Sequence, residues 1–230
     1  MDPDEDLIDD QIAYYRARAA EYDATSTPEG DTFEADTDCI RDALRAFAAR
    51  GRVLELAAGT GQWTGILAET ADALLVTDAS DEMLELNRAR VGWRPNVRYM
   101  VTDALAPTVT GPFDAIFFGF FLSHVPAGRL AAFWEALRAI LAPTGRVFFV
   151  DEGQHDHWRE EWIDRKAGIV RRQLSDGSVH RAVKVLWRPR DLERRLRQLG
   201  WAASVTTEGP FYWGTATRTG AIPTRRAERR

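Results

Sequence analysis

Cysteine is almost absent. Cys39 is the only one in 230 residues, so the chain can form no internal disulfide and no cysteine-based zinc site. No apolar run reaches membrane-spanning length. Residues 1–10 hold six acids and no base, the reverse of a signal peptide, so no secretory start is expected. Nor is there an excess of positive charge: a net charge of −5 gives no general attraction to nucleic acid or to an anionic membrane. These absences lead us to expect a cytoplasmic protein whose partners are small molecules; monomer and homodimer both stay open. No internal repeat and no second domain are visible. The acidic start and the five arginines of residues 218–230 read as solvated ends or as interaction tails.

What is present fits one α/β domain large enough to bury a continuous core, with 45% hydrophobic and 28% charged residues. From Gly51 onward, short apolar runs alternate with amphipathic stretches, which predicts βαβ units and a parallel sheet. Strands are predicted over Arg52–Leu56, Ala73–Asp78, Val97–Val101, Phe113–Phe118 and Arg146–Val150. Helices are predicted over Ile8–Tyr22, Gln62–Thr70, Asp81–Val91 with Ser80 as its cap, and Leu130–Leu141, which Pro143 and Gly145 stop. Beyond Asp151 the pattern changes. Gln154–Arg165 reads as a helix over the sheet edge, and the runs around Ser175-Asp176-Gly177-Ser178 read as a hairpin. Pro189 opens a helix over Asp191–Leu199, and Trp201–Thr207 and Phe211–Thr217 close the chain as an antiparallel strand pair.

Ligands of an open parallel sheet sit beyond the carboxyl ends of its strands. Gly59 and Gly61 follow the first strand there, Asp78 closes the second, Asp103 follows the third, and Glu55 lies inside the first. Missing side chains at the glycines admit a ligand to the backbone and to the following helix terminus. Asp78 can accept from both hydroxyls of a ribose, Asp103 from an adenine amino group, and Glu55 can orient the loop. A dinucleotide fingerprint demands a small residue at the sixth place from Gly59, where Thr64 stands beside the bulky Trp63. Adenosylmethionine has no phosphates and needs fewer glycines, so it fits better. His155 and His157 with Asp151, Glu152 and Asp156 are the grouping most suggestive of a metal, but they lack fixed spacing, and no metal site is assigned.

Val53-Leu54-Glu55-Leu56-Ala57-Ala58-Gly59-Thr60-Gly61, Asp78 with Met83, Asp103-Ala104, Phe121-Leu122-Ser123-His124-Val125-Pro126 and Leu141 to Arg146 together resemble the class I methyltransferase family over essentially the whole chain. The resemblance implies a Rossmann-like, seven-stranded, mostly parallel sheet in the order 3-2-1-4-5-7-6, strand seven antiparallel. It implies S-adenosyl-L-methionine as cofactor and S-adenosyl-L-homocysteine as product. By their places in these motifs Ala57, Trp63, Ala79, Met83, Ala104 and Gly119 join Glu55, Gly59, Gly61, Asp78 and Asp103 at the cofactor.

Tyr14-Tyr15-Arg16-Ala17-Arg18 with Glu21-Tyr22-Asp23, the stretch Asp114 to His124 and the hairpin from Arg171 to Val185 resemble a branch of bacterial small-molecule O-methyltransferases that includes phosphonate O-methyltransferases. This likeness implies an N-terminal lid helix over about residues 8–23, a nucleotide-binding core over 51–152 and a lid and hairpin insertion over 153–188. A C-terminal helix and strands over 189–217 and a basic tail over 218–230 complete the single domain. It also implies that Tyr14, Arg18 and Tyr22 meet the methionine end of the cofactor, and that His124, Tyr15, Arg172 and Lys184 face the acceptor. Pro28-Glu29-Gly30 departs from that branch, and a carboxylate at Glu29 facing the pocket would repel a phosphonate.

Methyl transfer from a sulfonium is an in-line displacement, in which positioning can supply roughly 7–11 kcal/mol of the barrier. An oxyanion acceptor needs cationic clamps, whereas a hydroxyl needs a base, for which His124 is the candidate. With Asp176-Gly177 as a two-residue turn, residue 171 pairs with 182 and Arg171 shares a face with Lys184; one bulge would put Arg172 there instead. Blander readings stand beside these: solvated arginines, a buried structural histidine, and Tyr14, Tyr15 and Tyr22 as a packing stripe. Transfer to nitrogen or carbon, or cofactor binding without transfer, are the competing functions.

Overall fold

The acidic start of the chain is not frayed. In the structure, a computed structural model that describes residues 3–25, 33–153 and 160–220, helix α1 begins at Pro3 and runs to Arg18, several residues earlier than its apolar stripe predicts. Asp4, Glu5 and Asp6 occupy its first turn, where negative charge opposes the positive end of the helix dipole. A 3₁₀ turn (Ala19–Glu21) and the short α2 (Tyr22–Thr25) continue it. Helix α3 (Phe33–Phe47), absent from the sequence reading, precedes the sheet. Pro28-Glu29-Gly30, residues 154–159 with His155 and His157, and most of the basic tail lie outside the described residues.

The apolar runs become β1 (Arg52–Leu56), α4 (Thr64–Thr70), β2 (Ala73–Asp78), α5 (Asp81–Val91), β3 (Val97–Val101), β4 (Phe113–Gly119), a 3₁₀ turn (Leu122–His124), α6 (Leu130–Ile140) and β5 (Leu141–Glu152). Ser80 caps α5 as predicted, its hydroxyl accepting the Met83 N–H. β5 starts earlier than its apolar run because Leu141 already pairs with Phe113, and the register shift between Phe113 and Ala115 accommodates Pro143 and Gly145. The side chains of β4 alternate between two cores. Ile116 and Phe118 pack with Trp134, Phe149 and Trp201 on one face, and Ala115 and Phe117 with Val53, Phe148 and Ile40 on the other.

Beyond Glu152 come β6 (Trp162–Asp164), β7 (Ile169–Gln173), β8 (Val179–Val183), α7 (Pro189–Gln198), β9 (Trp201–Glu208) and β10 (Phe211–Arg218). The main sheet has the order β3-β2-β1-β4-β5-β10-β9, with β10 antiparallel to both neighbours, which is the arrangement the resemblance implies. A separate antiparallel sheet, β6-β7-β8, holds the hairpin. Here two expectations fail. Trp162–Asp164 is a strand and not the end of a helix, because its backbone pairs with β7. And the hairpin loop has three residues, not two. The Gly177 N–H bonds to the Leu174 carbonyl, Gly177 takes φ +87°, and Leu174 N–H closes on Ser178. A type I turn followed by a left-handed glycine shifts the register by one. Residue 171 therefore pairs with 181, Arg172 with His180, and it is Arg172 that shares the face of Lys184.

Candidate functional site

Strands β1 to β4 and the lid helix α1 together line a cleft that encloses about 730 Å³, part of it open to solvent. Its floor follows from the strand ends: Ala57 and Gly59 after β1, Asp78 and Ala79 at β2, Asp103 and Ala104 after β3, Gly119 at the end of β4. A Cβ on Gly59 would meet nothing within 4 Å, so the loop leaves open space above its backbone, and its φ of +53° suits glycine. Asp78 stiffens that loop. Its carboxylate accepts the Gly59 N–H at 2.9 Å and the Ser80 N–H at 3.0 Å. Burial pushes its carboxyl up, and these amides pull it back. Asp103 accepts the Leu105 N–H at 2.9 Å. Met83, Ala104 and Leu105 supply apolar wall.

Five of the predicted cofactor residues do not line the cleft. Glu55 is fully buried under the loop, both its carboxylate oxygens without a hydrogen bond among the described residues, and burial pushes it up to about 8. Trp63 is buried against Phe117 and Phe120, and a Cβ on Gly119 would come within 3.0 Å of its indole. Gly61, at φ +91°, packs against Asn87. Tyr14 is buried in the lid and meets the rings of Tyr15 and His180. Arg18 is absent from the cleft lining but lies over the ring of Tyr22, which does line it.

At the other end of the cleft the lid meets the turn after β4. The Tyr15 hydroxyl lies 2.9 Å from Nε2 of His124, and Nδ1 of His124 lies 2.8 Å from the Val183 carbonyl. A carbonyl only accepts, so Nδ1 carries the hydrogen and Nε2 accepts from Tyr15. Burial, then the positive charge of Lys184, holds His124 well below the usual imidazole range. It is neutral at physiological pH.

The hairpin cations stand next to this pair without lining the cleft. Lys184 is buried, ion-paired with Glu152, and pushed down to about 8 by burial, which the Asp151 carboxylate opposes. Arg172 holds the carboxylate of Glu160 through both terminal nitrogens. Arg171 faces away and pairs with Glu161. The sequence marks Glu152 only as a member of a possible metal grouping and Glu160 not at all, because only the fold turns them toward the cations. Asp151, expected only in a possible metal cluster, instead accepts the Ser123 N–H at 2.7 Å and so holds the turn that carries His124. Among the described residues no group of histidine, cysteine and carboxylate side chains could hold a metal, and no helix is long and apolar enough to cross a membrane.

Residues 53–145 match the family described as "Methyltransferase domain". The chain resembles DhpI in two solved complexes. In the complex with SAH the identity is 40%, covering 93% of this chain and 97% of that one, with a TM-score of 0.77. In the complex with SAM and HEP the identity is also 40%, with coverage of 91% and 97% and a TM-score of 0.78. Phosphoethanolamine N-methyltransferase 1 of Arabidopsis thaliana is 30% identical over 106 residues, which are 45% of this chain but only 22% of that protein.

Proposed function

Because the chain belongs to the class I S-adenosylmethionine-dependent methyltransferases, we propose that it transfers the methyl group to an already ionised oxygen, of phosphonate or carboxylate type, on a small metabolite. The cleft suits the cofactor. It offers two carboxylates, at Asp78 and Asp103, between apolar walls, and among the described residues neither lysine nor arginine lines it to neutralise a pyrophosphate. Asp78 would hold the ribose hydroxyls and Asp103 the adenine amino group. Tyr22 and Arg18 would hold the methionine end, the guanidinium meeting its carboxylate. When bound, the cofactor supplies an electrophilic methyl on a sulfonium.

The state of His124 carries the choice of acceptor. A hydroxyl or an ammonium must lose a proton before or during transfer, and His124 is the base in reach. Yet a proton on its imidazole would sit buried beside Lys184 and Arg172. An oxyanion needs no such proton transfer. It needs the two cations, which here are occupied by Glu152 and Glu160, so an acceptor must compete with these internal carboxylates. Tyr15, whose hydroxyl hydrogen is committed to Nε2, has no donor left for an oxyanion, so the clamp falls to Arg172 and Lys184. This reading disfavours the competing transfer to nitrogen or carbon with His124 as base.

The test is turnover, read as S-adenosylhomocysteine release from panels of phosphonates, carboxylates, phenols and amines. Release with phosphonates or carboxylates supports the reading, and release with amines or phenols alone overturns it. An Arg172→Ala, Lys184→Ala double variant should raise the acceptor KM at least tenfold, about 1.4 kcal/mol, and spare S-adenosylhomocysteine affinity.

A further inference from the structure

The proposed chemistry leaves one buried polar side chain of the lid helix without a role. Gln11 lines the cleft and sits in the buried stripe of α1, among Leu7, Ile8 and Tyr14, where a polar group is costly unless bonded. Both ends of its amide are used. Nε2 donates to the His124 carbonyl at 3.2 Å, and Oε1 accepts the Val183 N–H at 2.9 Å. The Val183 carbonyl in turn accepts from Nδ1 of His124. Three residues on α1, on the turn after β4 and on β8 thus close a ring of hydrogen bonds.

The ring lies on a strand edge. β8 is an outer strand of its sheet, so the N–H groups on its free side need partners from elsewhere. Two successive side chains of the lid supply them: Asp10 for Arg181, at 3.3 Å, and Gln11 for Val183. Asp10 also takes the Arg181 guanidinium at 2.8 Å. α1 therefore stands in for a missing strand. It does so against the strand that leads into Lys184 and pairs with the strand that carries Arg172.

We infer that Gln11 is a positioning residue that makes closure of the lid over the cofactor and alignment of His124 with the hairpin cations one event. The primary amide suits this place because it supplies, from separate atoms, a donor toward the His124 carbonyl and an acceptor toward the Val183 N–H. A ligand in the cofactor cleft that favours the closed lid will then stiffen β8, although β8 contributes nothing to the cleft lining. The inference rests on the family's cofactor and not on the identity of the acceptor.

Hydrogen exchange of the full chain with and without S-adenosylhomocysteine tests it, since no acceptor is needed. In the wild type the ligand should slow exchange both at the segment of Gly59 and Asp78 and at the amides of Arg181 and Val183. In Gln11→Ala, shown by calorimetry to bind the ligand, the first effect should persist. The second should shrink by about fivefold, the size of one hydrogen bond. Gln11→Met keeps the side-chain volume and serves if the alanine variant does not fold. Unchanged β8 exchange in the ligand-bound wild type overturns the inference, as does full protection of β8 in a variant that binds. A failed acceptor screen would leave this result standing.

Discussion

Replacing Glu55 by glutamine should make the folded state more stable, and increasingly so as pH rises. Glu55 is fully buried and its carboxylate oxygens have no hydrogen-bond partner among the described residues. Burial pushes it from 4.5 to about 8; the nearby Thr64 hydroxyl pulls it back, and the Asp78 charge adds a smaller push upward. Below pH 4.5 both folded and unfolded chains hold the proton and the group is neutral to stability. Between pH 4.5 and 8 the unfolded chain releases the proton and the folded chain keeps it, so stability falls with pH and levels off above 8. At about 1.4 kcal/mol per pH unit, three units to pH 7.5 amount to roughly 4 kcal/mol. Glutamine has nearly the same shape and no charge at any pH. Its buried amide costs about 1–3 kcal/mol if unpaired, but that cost does not vary with pH. Urea unfolding at pH 5, 6, 7 and 8, without cofactor, should show the difference between variant and wild type growing by about 1 kcal/mol per unit. Parallel stability curves for the two proteins would refute the assignment of a raised carboxyl to Glu55.

Two further outcomes follow from the cleft and the hairpin. Asp78→Ala removes both the carboxylate proposed to hold the ribose and the acceptor of the Gly59 N–H, so the S-adenosylhomocysteine Kd measured by calorimetry should rise at least tenfold, or about 1.4 kcal/mol. Unchanged affinity would remove Asp78 from the cofactor site. With an oxyanion acceptor, kcat/KM should fall as pH rises through about 8, because Lys184 then loses the proton that makes it a clamp. Lys184→Arg, charged at every accessible pH, should move this alkaline limb upward; a limb that stays in place belongs to another group.

Much of this protein is legible from local pattern. The strands that are buried on both faces read as continuous apolar runs, the helix starts as the Ser80 cap and Pro189, and the carboxylates at strand ends as Asp78 and Asp103, because each signal depends on residues near in sequence. The same locality explains the failures. Asp-Gly marks a hairpin, but whether its loop holds two residues or three depends on how Gly177 and Ser178 close against Leu174, and that choice decides between Arg171 and Arg172. Pairing with β7 turned a predicted helix into the strand Trp162–Asp164. Gln11 did carry a signal, a polar residue inside an apolar helical stripe, though its partners lie more than a hundred residues away.

By itself, then, the sequence determined the order of elements, the parallel sheet and the kind of ligand its strand ends can hold, since all three follow from periodicity and from residue types at element boundaries. Only the tertiary structure decided that Arg172 and not Arg171 shares a face with Lys184, which carboxylates pair with these cations, and that His124 is held well below the usual imidazole range. Those properties arise from burial and from charges brought together by the fold, and neither distance nor desolvation is written in the spacing of residues along a chain.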